Sequence, residues 1–222
     1  MQSWGVTSCW DERDTLSMPT KSGVLGLVCA AIGRDRAEPV NDLAGLRMGV
    51  RVLKPGLLQR DYQTVNGALS LAGTPAGKSA SAGRTVVTQR YYLGDADFIV
   101  GLEVEPSGAA LLETIYLGLQ APHWPLALGR KSHVPSLPVW VAPGVLTVPL
   151  KQALLDFADS RLVPTDAEQD TRVLRLALDS PDGPHLALDQ PIAPFALRRF
   201  GVRRYVIEDV ARESMETNDV PA

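Results

Sequence analysis

The pair Lys21-Ser22 follows Pro19-Thr20 where a helix is predicted to begin, and this arrangement suits a phosphate. Backbone N–H groups are free at a helix N-terminus and attract anions, and a neighbouring lysine adds a positive charge. The segment is not a P-loop, because that motif requires glycines at fixed spacing before the lysine and a strand upstream. We therefore expect a general anion contact at Lys21 and Ser22, with a plain capped helix as the alternative.

Basic residues also gather in three segments that are expected to be exposed. The clusters are Arg84 and Arg90 with Tyr91 and Tyr92, then Arg130 and Lys131, and then Arg198, Arg199, Arg203 and Arg204 around Phe200 and Tyr205. Arginines interleaved with aromatic rings can hold phosphates and stack on bases, although each cluster alone is also typical of a solvated surface. Together they favour RNA as a ligand, and the candidate RNA-binding residues are Lys21, Ser22, Arg84, Arg90, Tyr92, Arg130, Lys131 and Ser132.

The residues that most often bind metals or act as nucleophiles form no recognisable site. His123, His133 and His185 have no ligand spacing to one another or to cysteine, and a structural zinc ion needs a full set of tetrahedral ligands. No G-x-S-x-G motif occurs, and neither Cys9 nor Cys29 has a recognisable catalytic partner. We therefore expect no metal, no cofactor and no catalytic residue.

The elements that position these residues follow from hydrophobic periodicity and from capping signals. A helix is expected that begins at a cap by either Thr20 or Ser22 and runs to Ile32, because Gly33 is a usual helix stop. Alternating apolar residues predict strands, and a second helix is expected to start at Ser107. The remaining predicted elements are strands at 46–53, 98–104, 137–141, 173–178 and 203–207 and helices at 107–119 and 150–158.

The segment 67–83 consists mostly of Gly, Ala, Ser, Thr and Pro, with Lys78 its only charge. Such a composition cannot pack a core. Two β-prone arms, around 62–65 and 85–92, flank the segment. A protruding hairpin with a flexible tip is therefore predicted.

The element order indicates an α+β protein. From 24 to 141 it runs α, β, hairpin, β, α, loop, β, which is a ferredoxin-like, RRM-like βαββαβ order without its first strand. A smaller β-rich part with an acidic tail follows. We expect two parts, residues 1–145 with the hairpin at about 60–90 and residues 146–222.

Composition and charge bound the class of protein. The 222 residues are 45% hydrophobic and 21% charged, which fits a globular chain with a sizeable core. The longest apolar run, Val24 to Ile32, is far shorter than the roughly 20 residues of a membrane span. No signal-peptide pattern opens the chain, and two cysteines suit a reducing compartment. We expect a cytoplasmic protein with no membrane partner. The net charge of −3 does not exclude a local RNA site.

Short stretches spread over nearly the whole chain resemble the CasD family of the type I-E CRISPR Cascade complex, within the RAMP superfamily. Each stretch alone is unspecific, but their order and spacing together are specific. They are Met1-Gln2-Ser3-Trp4-Gly5, Arg13-Asp14-Thr15, Pro19-Thr20-Lys21-Ser22-Gly23-Val24-Leu25-Gly26, Asp61-Tyr62-Gln63-Thr64-Val65-Asn66-Gly67, Arg90-Tyr91-Tyr92-Leu93-Gly94-Asp95-Ala96-Asp97-Phe98, Leu128-Gly129-Arg130-Lys131-Ser132 and Arg203-Arg204-Tyr205-Val206-Ile207.

The resemblance implies a RAMP domain with a thumb hairpin and a non-catalytic subunit that captures the 5′ handle of CRISPR RNA in antiviral defence. It places Lys21 and Ser22 at the helix start that faces the handle, and it makes 130–132 a second phosphate-holding loop. The implied protein partners are the backbone subunit and the large PAM-reading subunit of Cascade. Target DNA is reached only through the complex, since guide pairing reads its sequence.

The chain departs from the family pattern at two points. The family opens with an apolar strand before the Gln-Ser-Trp-Gly motif, whereas Met1 lies inside the following turn here. We therefore expect an in-frame apolar segment upstream of Met1. Gln63 stands where the family often has histidine, which leaves the role of that side chain open.

Two other functions remain open. The first is a metal-independent endoribonuclease that matures CRISPR RNA, as a CasD-like relative does in another CRISPR subtype. It would need Tyr92, Lys131 and His133 brought together for general acid–base chemistry. The second is a protein-interaction module whose arginines bind partner carboxylates. Its RNA binding would then depend only weakly on salt.

Overall fold

The computed structural model describes residues 1–7, 12–65, 86–141, 144–157 and 173–211, and all structural statements concern these residues. The helices are α1 (Lys21–Ile32), α2 (Asn41–Ala44), α3 (Ala109–Gln120) and α4 (Leu150–Leu155). The strands are β1 (Glu12–Arg13), β2 (Arg47–Lys54), β3 (Leu57–Val65), β4 (Val86–Gly94), β5 (Asp97–Glu103), β6 (Val173–Asp179), β7 (His185–Pro191) and β8 (Phe200–Ala211). The expected α+β class is confirmed.

The larger sheet is antiparallel, with the strand order β5-β2-β6-β8-β7. Successive side chains of a strand point to opposite faces, so β2 contributes to two cores. Met48 and Val50 pack in one cluster with Val24 of α1. On the other face, a Cβ added at Gly49 would lie 2.7 Å from Leu154 of α4. The sheet is therefore covered by α1 on one side and by α4 on the other.

The smaller sheet is a hairpin of β3 and β4 to which the short β1 adds. Its register runs from Leu57 opposite Gly94 to Val65 opposite Val86. The two predicted hairpin arms are confirmed by β3 and β4. The predicted tip lies outside the described residues, as does Arg84.

One predicted strand and one predicted helix cap are wrong, whereas the helix expected at 107–119 is confirmed by α3 (Ala109–Gln120). Residues 137–141 form no strand, because Pro135 and Pro138 remove backbone donors and restrict φ in this segment. Ser107 does not cap a helix either: it lies in a turn of 3-10 helix at Pro106–Gly108, and α3 begins at Ala109. The ferredoxin-like order, which counted 137–141 as its last strand, stays a prediction.

Several boundaries also differ from the sequence-based expectation. The last strand, β8, runs from Phe200 to Ala211, so it is longer than the predicted 203–207, and α4 ends at Leu155 rather than at 158. The strand β7 was not predicted, because an acidic residue, Asp189, faces the interior and breaks the apolar alternation. The sheet joins β2 and β5 to strands from beyond residue 146.

Candidate nucleic-acid interface

The first turn of α1 is held in place by a cap and by a tryptophan. The Thr20 hydroxyl accepts the Gly23 N–H at 3.3 Å, and the Thr20 carbonyl accepts the Val24 N–H at 3.0 Å. A Cβ added at Gly23 would lie 2.8 Å from the ring of Trp4, so only glycine fits against this ring without a shift. The predicted helix start is confirmed, and Ser22 lies on it, half-buried.

Lys21 is buried and does not present its charge to the surface. It is 4% exposed, and its ammonium donates to Asp179 Oδ2 at 3.1 Å. Its backbone N–H donates to Asp189 Oδ2 at 2.7 Å. Arg203 joins both carboxylates, at 2.7 Å to Asp179 and at 2.8 Å to Asp189. The geometry therefore favours a structural role for Lys21 over the predicted phosphate contact.

The basic turn after residue 128 is docked on the N-terminal segment. The Leu128 N–H donates to the His133 carbonyl and the His133 N–H to the Arg130 carbonyl, both at 2.8 Å. Gly129 has a φ of +86°, and a Cβ there would come within 1.7 Å of the Ser3 carbonyl oxygen. This turn leaves Lys131 and Ser132 exposed and Arg130 half-buried.

Three arginines from separate segments meet beside this turn. Arg13 of β1 and Arg90 of β4 are register partners, and the Arg130 guanidinium donates to the Arg13 carbonyl at 3.2 Å. Burial, followed by the charges of Arg90 and Arg13, lowers the pKa of Arg130 below its usual range. The buried Nε of Arg90 has no hydrogen-bond partner in the described part of the chain. Such a concentration of like charge attracts an anion.

A groove of about 1220 Å³ runs between α1, the N-terminal segment and the loop after α3. Its lining includes Ser22, Gly23, Gly26, Leu27 and Ala30 of α1, together with Arg13, Trp124, Arg130, Lys131 and Trp140. A Cβ added at Gly26 would meet no atom of the described residues within 4 Å, so this part of the helix is open on that side. The groove thus combines a narrow helical floor with basic and aromatic walls.

The structure brings only some of the predicted RNA-binding residues into this groove. Ser22, Arg130 and Lys131 line it, and Ser132 follows them in the exposed turn. Tyr92 and Arg90 lie on β4, and Tyr92 donates its hydroxyl to Gln59 Oε1 at 2.7 Å. The predictions for all of these residues stay predictions.

Sequence reasoning did not single out Trp124 or Trp140, although both line the groove. Trp124 is 40% exposed and contacts His123 edge to face. Both lie in the proline-rich loop that follows α3. A tryptophan in a loop that contains several prolines, outside any apolar periodic segment, is the signal that could have identified them.

The residues of the endoribonuclease alternative are partly assembled. The rings of Tyr92 and His133 lie 5.7 Å apart. His133 is 6% exposed, and burial, reinforced by the charge of Arg130, lowers its pKa below the ordinary value. Lys131 is exposed in the turn between Arg130 and Ser132. Within the described residues, no group of three or more His, Cys, Asp or Glu side chains could hold a metal ion.

The chain is similar to CRISPR-associated proteins over most of its length. The family described as "CRISPR-associated protein (Cas_Cas5)" matches residues 1–206. The CRISPR system Cascade subunit CasD of Escherichia coli (strain K12) is 30% identical over 171 residues, which are 71% of this chain and 72% of that protein. None of the described helices is both long and apolar enough to span a bilayer.

Two solved structures resemble the chain in both fold and sequence. A protein described as "Crystal structure of Cas protein" has a TM-score of 0.71 and 40% identity, over 96% of this chain and 91% of that chain. A chain of a "CRISPR RNA-guided surveillance complex" has a TM-score of 0.70 and 29% identity, over 95% of this chain and 86% of that chain.

Proposed function

Because this chain belongs to the Cas5 family of CRISPR-associated proteins, we propose that it is the Cascade subunit that holds the 5′ handle of CRISPR RNA. It works as a non-catalytic component of a cytoplasmic surveillance complex in antiviral defence. The observation that carries the proposal is the groove, which brings Arg13 and Ser22 from near the start of the chain together with the distant Arg130-Lys131 turn.

The chemistry of the groove suits single-stranded RNA. Arg130 and Lys131 supply positive charge for the phosphates, and the half-buried position of Arg130 limits its screening by solvent. The Ser22 N–H has no partner among the described residues, so it can donate to a phosphate oxygen. The exposed face of Trp124 offers a surface on which a base can stack.

The names of the relatives support the proposed assembly. One relative is a Cascade subunit, and another is a chain of an RNA-guided surveillance complex. We extend the proposal to the backbone subunit and the large PAM-reading subunit as protein partners, with target DNA reached only through the complex. In this proposal the body is a ferredoxin-like RAMP domain and the hairpin of β3 and β4 is its thumb.

Charge reversal in the groove tests the proposal. Arg130→Glu and Lys131→Glu are expected to weaken the binding of a labelled CRISPR repeat RNA and to reduce RNA retention in the assembled complex. The slope of log K against the logarithm of the salt concentration should become less steep by about 0.7 for each lost phosphate contact to a single strand. Lys151→Glu is the charge-matched control, because Lys151 lies on α4, on the opposite face of the sheet. Unchanged RNA binding in both groove variants would refute the proposed site.

The endoribonuclease remains the second candidate, favoured by the contact between Tyr92 and His133. Incubation of the purified chain with labelled repeat RNA and EDTA distinguishes the two functions. Intact, bound RNA supports the scaffold. Specific cleavage that is lost in Tyr92→Phe and His133→Ala would establish the enzyme instead.

A further inference from the structure

A buried network of two acidic and two basic side chains holds the first turn of α1. Asp189 of β7 is 0% exposed, and its two oxygens accept Arg203 Nε and Nη2, each at 2.8 Å. Its Oδ2 also accepts the Lys21 N–H at 2.7 Å. Asp179 of β6 binds the Lys21 ammonium and the remaining side of Arg203. The formal charges of the four groups cancel, which suits a buried network.

This network determines which N–H group of α1 stays available. The Asp189 carboxylate accepts a hydrogen bond from the Lys21 N–H, and Thr20 accepts hydrogen bonds from the N–H groups of Gly23 and Val24. In the first turn, only the N–H of Ser22 has no acceptor among the described residues, and Ser22 lines the groove. Asp189 itself does not line the groove.

We propose that Asp189 is a positioning residue for RNA binding, which fixes the first turn of α1 so that Ser22 meets an RNA phosphate. The inference rests on the proposed function of the groove. It assigns to Asp189 part of the role that the sequence suggested for Lys21. Asp189 acts through the Lys21 backbone and Arg203, and it does not touch the RNA.

Simple electrostatics predicts the opposite effect of a mutation at this position. Asp189→Asn removes a negative charge close to the groove, so Coulomb attraction alone would strengthen RNA binding. An asparagine, however, has only one acceptor oxygen, and its amide N–H₂ group would face a donor of Arg203 or Lys21. At least one hydrogen bond that holds the start of α1 is therefore lost. If Asp189 positions Ser22, RNA binding must become weaker although the protein becomes more positive.

The test measures the affinity of the full chain for a labelled repeat RNA at several salt concentrations. Asp189→Asn is expected to weaken binding about tenfold, the value of one hydrogen bond to a charged group. Asp182→Asn, at an exposed acid in the turn before β7, is the charge-matched control and should bind as tightly as the native chain or slightly tighter. Binding by Asp189→Asn that equals or exceeds that of Asp182→Asn would overturn the inference.

A charge-conserving variant covers the case in which Asp189→Asn does not fold. Arg203→Lys keeps the net charge but loses the fork that bridges Asp179 and Asp189. It should weaken RNA binding about threefold, by loss of part of one such hydrogen bond, whereas unchanged affinity in a folded variant would contradict the positioning role. Native affinity in both network variants, with loss of binding in Arg130→Glu, would refute this inference alone. Native affinity in Arg130→Glu and Lys131→Glu would instead refute the proposed function.

Discussion

Two helix glycines should respond in opposite ways to the same substitution. Gly26 lies in α1 and Gly118 in α3, and both are interior positions of twelve-residue helices. Alanine at an interior helix position is more favourable than glycine by about 0.5–1 kcal/mol, because glycine loses more backbone entropy on folding. Propensity alone would therefore stabilise the protein by the same amount at both positions.

The surroundings of the two glycines separate the outcomes. An added Cβ at Gly26 meets no atom within 4 Å in the part of the chain that the structure describes, so Gly26→Ala should retain the whole gain of about 0.5–1 kcal/mol. At Gly118 the Cβ would lie 2.8 Å from Ile32 Cγ2 and 3.3 Å from the Ala31 backbone. Overpacking of this kind costs about 1–3 kcal/mol, which exceeds the gain in propensity. Gly118→Ala should be destabilised by up to about 2.5 kcal/mol, which is the largest packing cost less the smallest gain in propensity.

Urea unfolding followed by circular dichroism measures both free energies. Equal unfolding free energies for the two variants, or a destabilised Gly26→Ala, would refute the reasoning.

A larger side chain at Gly26 tests the groove itself. Gly26→Leu should fold, since the space beside it is open, yet it should fill the groove and weaken RNA binding. Native affinity in a folded Gly26→Leu would show that RNA does not approach α1 at this point.

Three further outcomes follow from individual side chains. Burial and the charge of Arg130 keep the pKa of His133 below its ordinary value of 6.5, so the unfolded chain binds a proton there that the folded chain does not. The unfolding free energy should therefore fall as the pH drops below about 6.5, and His133→Gln should lose part of this decline in urea titrations. Burial raises the pKa of Cys29 to about 11. In a Cys9→Ser variant, a thiol reagent at pH 8 should therefore react with Cys29 only after the protein unfolds. Fast reaction of the native protein would contradict this. Gly129→Ala should lose stability and RNA affinity together, because its Cβ would collide with the Ser3 carbonyl oxygen; native values of both would show that the turn is not docked there.

Local signals predicted much of the fold. The cap at Thr20 and the left-handed Gly33 bound α1 as expected, because both act within one helical turn. The alternation around Val50 identified β2, whose two faces are both covered. Local signals failed where contacts with residues distant in the chain decided whether a polar side chain is buried. Asp189 interrupts the apolar pattern of β7. This carboxylate can be buried because the Lys21 N–H and the Arg203 guanidinium donate hydrogen bonds to it.

The candidate site shows the same division. The types of Arg130 and Lys131 and their place in an exposed turn are evident from the sequence, and both residues line the groove. Lys21 looks equivalent in the sequence, but its ammonium is bound by a carboxylate that lies 158 residues away in the chain. Trp124 and Trp140 complete the groove from a loop without regular structure. Periodicity carries no information about such a loop.

The sequence by itself determined the family, the α+β class and the main helices and strands, because motifs, caps and alternation are properties of neighbouring residues. Only the tertiary structure decided which charges are neutralised and which remain available. Lys21 and Arg203 are buried against Asp179 and Asp189, whereas Lys131 stays exposed. The physical reason is that burying a charge requires a partner of opposite sign, and the fold alone brings such partners together from distant parts of the chain.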